Sequence, residues 1–235
     1  MSQRAIQAIT SAQVVAGYRT YLELVAGILR PDQERIGTAM MQEVERCREA
    51  LHQAARGRSV ALVCGGDPGV YAMAGLIFEL ARARGCEVPI EIIPGISAVN
   101  ACAALLGAPL MHDFATISLS DLLTPWNVIE KRLRHAAEAD FVIALYNPAS
   151  RKRRMQLGRA RDIVMEYRPP ETPAGIVTSA YRKDQAILLT TLDSLTGHGR
   201  HVNMQSTVII GNSRTFTWNG LMVTPRGYGD KYRLS

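Results

Sequence analysis

Short apolar blocks, each broken by glycine, proline or charge, alternate along this chain with longer stretches of helical spacing. Residues 60–64, Val-Ala-Leu-Val-Cys, form such a block, of a length that suits a strand buried on both faces. Gly65-Gly66-Asp67-Pro68-Gly69 ends it at once. A helix is expected from about Val70 to Arg84, with Gly85 at the position that commonly closes a helix. Strand, glycine-rich loop and helix in succession is how open α/β sheets bind ligands beyond the carboxyl ends of their strands.

On the amino-terminal side, residues 3–10 read as the tail of a helix and residues 13–16 as a short strand. Residues 17–21 then form a loop that places Arg19 between Tyr18 and Tyr21. Residues 38–56 predict an amphipathic helix whose Met41, Val44 and Leu51 fall on one stripe, ended by Gly57. On the other side, residues 88–93 predict a strand. Residues 94–98 form a second loop, with Ser97 placed to cap an alanine-rich helix over 98–106.

Gly107-Ala108-Pro109 and His112-Asp113 read as a linker, which puts a domain boundary near residue 112. The second half opens with a strand over 114–119. Thr124 is expected to cap a helix that has Pro125 at its first position and runs to about Glu138. Further strands are expected at 141–146, 175–178, 186–191 and 207–210, with a helix ending near Tyr167. Asn219-Gly220, between residues 215–218 and 221–224, is a type I′ hairpin signal.

Length and composition narrow the class. The 235 residues are 47% hydrophobic and 20% charged, enough to build one large or two small globular domains. No apolar run reaches the length of a membrane span, and the first ten residues lack a signal-peptide core. Cys47, Cys64, Cys86 and Cys102 are widely spaced, so they read as buried thiols in a reducing cytoplasm rather than disulfides or zinc ligands. His198 and His201 have metal-like spacing but no acidic or cysteine partner nearby, and a glycine-flanked loop is expected there. The net charge of +6 admits a solvated basic surface, a nucleic acid or a polyanionic small substrate. No nucleic-acid-binding motif is present, and aromatic residues make up only 6%.

The chemistry concentrates in loops that follow strands. Glycines at 65, 66 and 69 fit neither the dinucleotide fingerprint nor a P-loop. Asp67 would repel a phosphate at a helix start, so the loop suits a neutral or cationic ligand, or is a plain turn that needs glycine. Residues 118–121, 146–148 and 178–181 are similar loops. No catalytic triad, nucleophile elbow, metal cage or cofactor lysine stands out, so the expected site positions two ligands more than it supplies acids and bases.

Six segments carry a family resemblance: GYRTYLELV at 17–25, CGGDPGVYAMA at 64–74, IPGISAVNACAALLGAPLMHDFATISLSDLLTPW at 93–126, ADFVIALYNPASRKR at 139–153, IVTSAYRKDQ at 176–185 and MQSTVIIGNS at 204–213. In these the chain resembles the tetrapyrrole methylase family, in particular its branch that methylates carbon 17 of precorrin-3B in cobalamin biosynthesis. The resemblance implies two α/β domains with a cofactor and substrate cleft between them, in a homodimer. It implies S-adenosylmethionine held by Gly65, Gly66, Asp67, Val70, Ser97, Ala98, Tyr146, Asn147, Ala180 and Thr207. The reaction it implies is methyl transfer with ring contraction, on precorrin-3B or its cobalt form.

A flat polycarboxylate substrate gives the positive charge a purpose, with Tyr18, Arg19, Tyr21 and Asp121 expected to bind it. Arg151 to Arg154, the densest basic cluster, would add to its recognition. His112, Asp113 and Asp121 are candidates for the proton transfers of ring contraction, with no choice among them. Family members open with a strand and a Gly-x-Gly-Pro-Gly loop, whereas Met1 falls inside what should be the following helix. The first sheet is therefore expected to carry an interior gap, which its neighbours close by a changed strand order, another chain fills, or, the favoured expectation, residues encoded upstream of Met1 fill. Alternatives are an inactive tetrapyrrole-binding paralogue, a methylase for another ring carbon, and a basic nucleic-acid binder.

Overall fold

The computed structural model describes residues 1–150 and 153–233, and the chain divides into two units, residues 1–97 and 98–235. The first is built on a parallel three-stranded sheet in the order β2–β1–β3, from β1 (Val14–Tyr18), β2 (Glu34–Thr38) and β3 (Val60–Val63). Helices α3 (Glu43–Ala55) and α4 (Ala74–Ala83) cover one face, where Cys47, Leu51, Ile77 and Ala81 surround Ala16. On the other face Ile9 of α1 (Gln3–Ser11) packs with Val15 and Val63, beside Tyr21 and Leu22 of α2 (Arg19–Leu24). With both faces covered, the middle strand must be apolar throughout, and Val14 to Gly17 of β1 are buried.

That places burial differently from the sequence expectation for residues 60–64. β3 is an edge strand, and of its residues only Val63 is buried. Residues 17–21 are no loop, because β1 continues to Tyr18 and α2 starts at Arg19. The helix expected from residue 38 begins at Glu43, after a strand and a turn. Met41 lies in that turn at φ 67°, 73% exposed, and Val44 is exposed as well; only Leu51 joins the core. α4 likewise starts at Ala74 rather than Val70, after an irregular turn. Residues 88–93 join no ladder among the described residues, since a strand needs a neighbour for its backbone groups and none lies alongside.

The second unit has a five-stranded mixed sheet in the order β5–β6–β9–β7–β8. Its strands are β5 (Phe114–Ser118), β6 (Val142–Tyr146), β7 (Pro173–Thr178), β8 (Ala186–Thr191) and β9 (Ser206–Ile210). Helices α6 (Trp126–Glu138) and α7 (Gln156–Met165) cover one face through Ile129, Leu133, Leu157 and Ile163. α5 (Ala98–Leu106) covers the other, with Val99, Cys102 and Leu106 against Val142, Ala144, Val177 and Ile209. A side chain at Gly175 would come within 2.5 Å of Leu106, so the glycine admits the helix.

α5 therefore belongs to the second sheet, and the units part at residues 97–98 rather than near 112. The segment read as a linker is also structured. β4 (Gly107–Ala108) pairs parallel with β11 (Leu221–Val223), which forms a hairpin with β10 (Phe216–Trp218). Asn219 and Gly220 both have positive φ, 48° and 75°, as a type I′ turn requires. Pro125, not Thr124, is the N-cap of α6; it makes no side-chain cap bond, and in the first turn the Asn127 side chain accepts from the Val128 amide (3.0 Å). Residues 193–201 form a 3₁₀ helix rather than a loop, and the side chains of His198 and His201 lie outside the described residues. A short α8 (Tyr228–Lys231) follows the hairpin.

The buried Arg168 ties this unit together. Its guanidinium donates to the carbonyls of Gly211 and Phe141, with a longer bond to Ala136 at 3.5 Å. It thereby links the end of α6, the approach to β6 and the exit of β9.

Candidate functional site

In the first unit all strands are parallel, so their carboxyl ends share one edge of the sheet. Two loops meet there. Asp67 accepts hydrogen bonds from the backbone of Gly69 (2.8 Å, to Oδ1) and of Gly95 (3.0 Å, to Oδ2). Backbone donors, Gly95 first, then Gly69 and lastly Val70, hold the carboxyl below its ordinary range, so it is ionised at neutral pH. Gly66 has φ +77°, and a side chain on Gly95 would strike the Gly66 backbone. The loops touch because Gly95 lacks a side chain, while glycine at 66 allows the positive φ of the backbone that it meets. Sequence reasoning marked both loops but not Gly95; its adjacency to Gly66 is tertiary and leaves no local signal.

Tyr21 lies against the same loop, since a side chain on Gly65 would meet its ring at 2.7 Å. Tyr18 and Tyr21 pack edge to face, 5.4 Å apart at 87°, rather than standing on either side of Arg19. Arg19 is exposed at the start of α2. Beneath this edge the buried Arg46 bonds Thr38 (2.6 Å) and the Ala39 carbonyl (3.1 Å), fixing the turn after β2. Burial pushes the Cys47 thiol up to about 11 and also raises Cys64, so both are protonated structural groups.

The second unit gathers its polar residues in the same manner. β5, β6 and β7 run in one direction and β9 runs against them, so Ser118, Tyr146, Thr178 and Ser206 share an edge. Asn147 donates to Ser118 (3.0 Å), and the Tyr146 hydroxyl accepts from the amide of Val99 in the first turn of α5 (2.8 Å). Thr178 and Ser206 share a 2.6 Å hydrogen bond, and Ser179 donates to Gln205 (2.6 Å). Thr207 bonds the buried Cys102 thiol. Asn147, Ser179 and Tyr181 all have φ between 52° and 57°. Such conformations cost non-glycine residues energy and concentrate where a loop is held for binding.

Asp121 sits on the adjoining loop and accepts from Gln156 (3.0 Å). His112 and Asp113 precede β5, at the opposite end of that strand from Ser118, so they are not brought to this edge. Arg151 and Lys152 of the basic cluster lie outside the described residues; Arg153 donates to Ser120 (2.9 Å).

Comparison with known proteins decides the family. The profile of tetrapyrrole (corrin/porphyrin) methylases matches residues 1–196. The chain belongs to the tetrapyrrole methylase family. A cobalt-factor III methyltransferase of Priestia megaterium is 49% identical over the whole chain, which spans 44% of that longer protein. A probable cobalt-factor III C(17)-methyltransferase of Salmonella typhimurium is 50% identical over 97% of the chain and 93% of its own length. Among solved structures, the methyltransferase CobJ superposes with a TM-score of 0.90 at 37% identity, covering 96% of this chain and 93% of that one.

The residues that the family resemblance nominates for the cofactor fit such a ligand within each unit. Asp67 accepts from backbone amides at both of its oxygens and, ionised, suits a cationic group. Tyr146, Asn147, Ala180 and Thr207 all lie at or just beyond one edge of the second sheet, and Ala98 begins the helix whose first turn Tyr146 bonds.

Proposed function

We propose that this protein transfers a methyl group from S-adenosylmethionine to carbon 17 of cobalt-factor III, with contraction of the macrocycle, in cobalamin biosynthesis. The observation that carries the proposal is the near full-length identity of 50% with the Salmonella relative of that name. The residues proposed for the cofactor are Gly65, Gly66, Asp67, Val70 and Ser97 in the first unit and Ala98, Tyr146, Asn147, Ala180 and Thr207 in the second.

Bound, S-adenosylmethionine supplies an electrophilic methyl group. The chain's own part is positional. A displacement at a methyl carbon needs donor and acceptor aligned at near-attack distance and shielded from water. Loops pinned by Asp67–Gly95 and Asn147–Ser118 bonds give that rigidity without contributing acids or bases. The ionised Asp67 favours the cofactor's positive charge. Arg19, with Tyr18, Tyr21 and Asp121, binds the substrate, and the net charge of +6 attracts its carboxylates.

The reading is tested by mass spectrometry of cobalt-factor III, and separately its cobalt-free counterpart, after incubation with the protein and S-adenosylmethionine. Gain of one methyl group supports it. No gain on either substrate, by protein that is folded, overturns it.

A further inference from the structure

Arg153 stands at the edge of the second sheet with an unusual set of partners. Its Nη1 donates to Ser120 at 2.9 Å, while Nη2 meets, among the described residues, only the sulfur of Met204, at 3.4 Å. Its Nε is shut from water and has no acceptor. Nε and Nη2 form the side of a guanidinium that grips a carboxylate with two parallel hydrogen bonds. Among the described residues, that side therefore has as its one hydrogen-bond partner a thioether, which is a weak acceptor on a flexible chain. Two and three residues on from its partner Ser120, Leu122 and Leu123 are 67% and 92% exposed, on a loop anchored at Asp121 by Gln156. Exposed leucines next to an under-used guanidinium describe a surface that is apolar and anion-seeking at once.

From this arrangement we infer that Arg153 binds one peripheral carboxylate of the macrocycle, displacing Met204, while Leu122 and Leu123 cover the adjoining ring face. The inference rests on the proposed function and names a subsite for its substrate. The match is one of chemistry: a flat apolar ring with acidic side chains needs both kinds of surface within a few ångströms. Met204, itself 42% exposed, offers Nη2 a weak contact that a stronger acceptor can replace. Asp121 does not compete for the guanidinium, because its carboxylate is turned to Gln156.

The test compares Arg153→Lys, Arg153→Ala and Leu123→Ser with the native chain. Two constants are measured for each: the KM for cobalt-factor III and the Kd for S-adenosylhomocysteine. Arg153→Lys keeps the charge but loses the paired grip, and its KM is expected to rise about tenfold. Arg153→Ala is expected to raise it further and to flatten its dependence on salt. Leu123→Ser, on an exposed loop that cannot threaten the fold, is expected to raise KM several-fold. The Kd for S-adenosylhomocysteine should stay within about twofold in all three. An unchanged KM in Arg153→Lys and Leu123→Ser overturns the subsite, as does an equal loss of both affinities, which would assign Arg153 to the fold or the cofactor. A native chain that methylates nothing would instead refute the proposed function.

Discussion

Replacing Gly95 with alanine tests whether the two loops of the first unit work as one device. The added methyl would fall on the carbonyl oxygen of Gly66 and 3.0 Å from its carbon, and backbone cannot rotate aside as a side chain can. The loops must then separate, which stretches the 3.0 Å bond from the Gly95 amide to Asp67. Overpacking of this kind costs about 1–3 kcal/mol. Losing a hydrogen bond to a charged acceptor costs about 1.5–3 kcal/mol more. For a chain of this size the sum corresponds to a melting point lower by on the order of 10 °C. Gly75→Ala is the control, because nothing lies within 4 Å of a side chain there and the position is in α4. It should be neutral or slightly stabilising, since glycine inside a helix costs about 1 kcal/mol relative to alanine. Thermal melting and calorimetric titration with S-adenosylhomocysteine are run on both variants. Gly95→Ala should melt lower and bind at least tenfold more weakly, whereas Gly75→Ala should match the native chain. If Gly95→Ala melts and binds like the native protein, the contact between the loops has no energetic content and the reasoning fails.

Two further outcomes follow from buried groups. Arg168→Met should cost about 3 kcal/mol or more in denaturant unfolding, because it leaves the carbonyls of Gly211 and Phe141 buried without donors; stability unchanged within error would refute the role given to this arginine. Cys47 ionises near 9.0 when unfolded and at about 11 when folded, so the unfolded chain releases its proton first. Stability should therefore fall between those two values, by about 2–3 kcal/mol from this group, and be untouched by it below them. Cys47→Ala should shallow that alkaline slope, as followed by urea unfolding at stepped pH.

Much of the second unit was legible because its signals are local. Residues 141–146 and 207–210 are apolar enough to be interior strands, and Asn219-Gly220 can hardly be anything but a tight hairpin turn. The first unit was harder. β2 reads Glu-Arg-Ile-Gly-Thr, with no alternation to announce a strand, and it forms because β1 offers it a partner along its whole length. Residues 88–93 show the reverse case: a good strand pattern that makes no ladder, since pattern supplies faces but not neighbours. The glycine loops were legible as loops. What they touch was not, because Gly95 on Gly66 and Arg153 on Met204 are meetings of distant segments. α5 was misassigned to the first unit for the same reason: an alanine-rich helix carries no mark of which sheet it will cover.

The most direct test of the account follows the methyl group itself. Cobalt-factor III is incubated with the protein and S-adenosylmethionine labelled with ¹³C in its methyl group, and the product is examined by NMR. The account predicts one labelled methyl, bonded to carbon 17 of a contracted ring. A label on any other ring carbon, or none on a protein that binds S-adenosylhomocysteine, would contradict it.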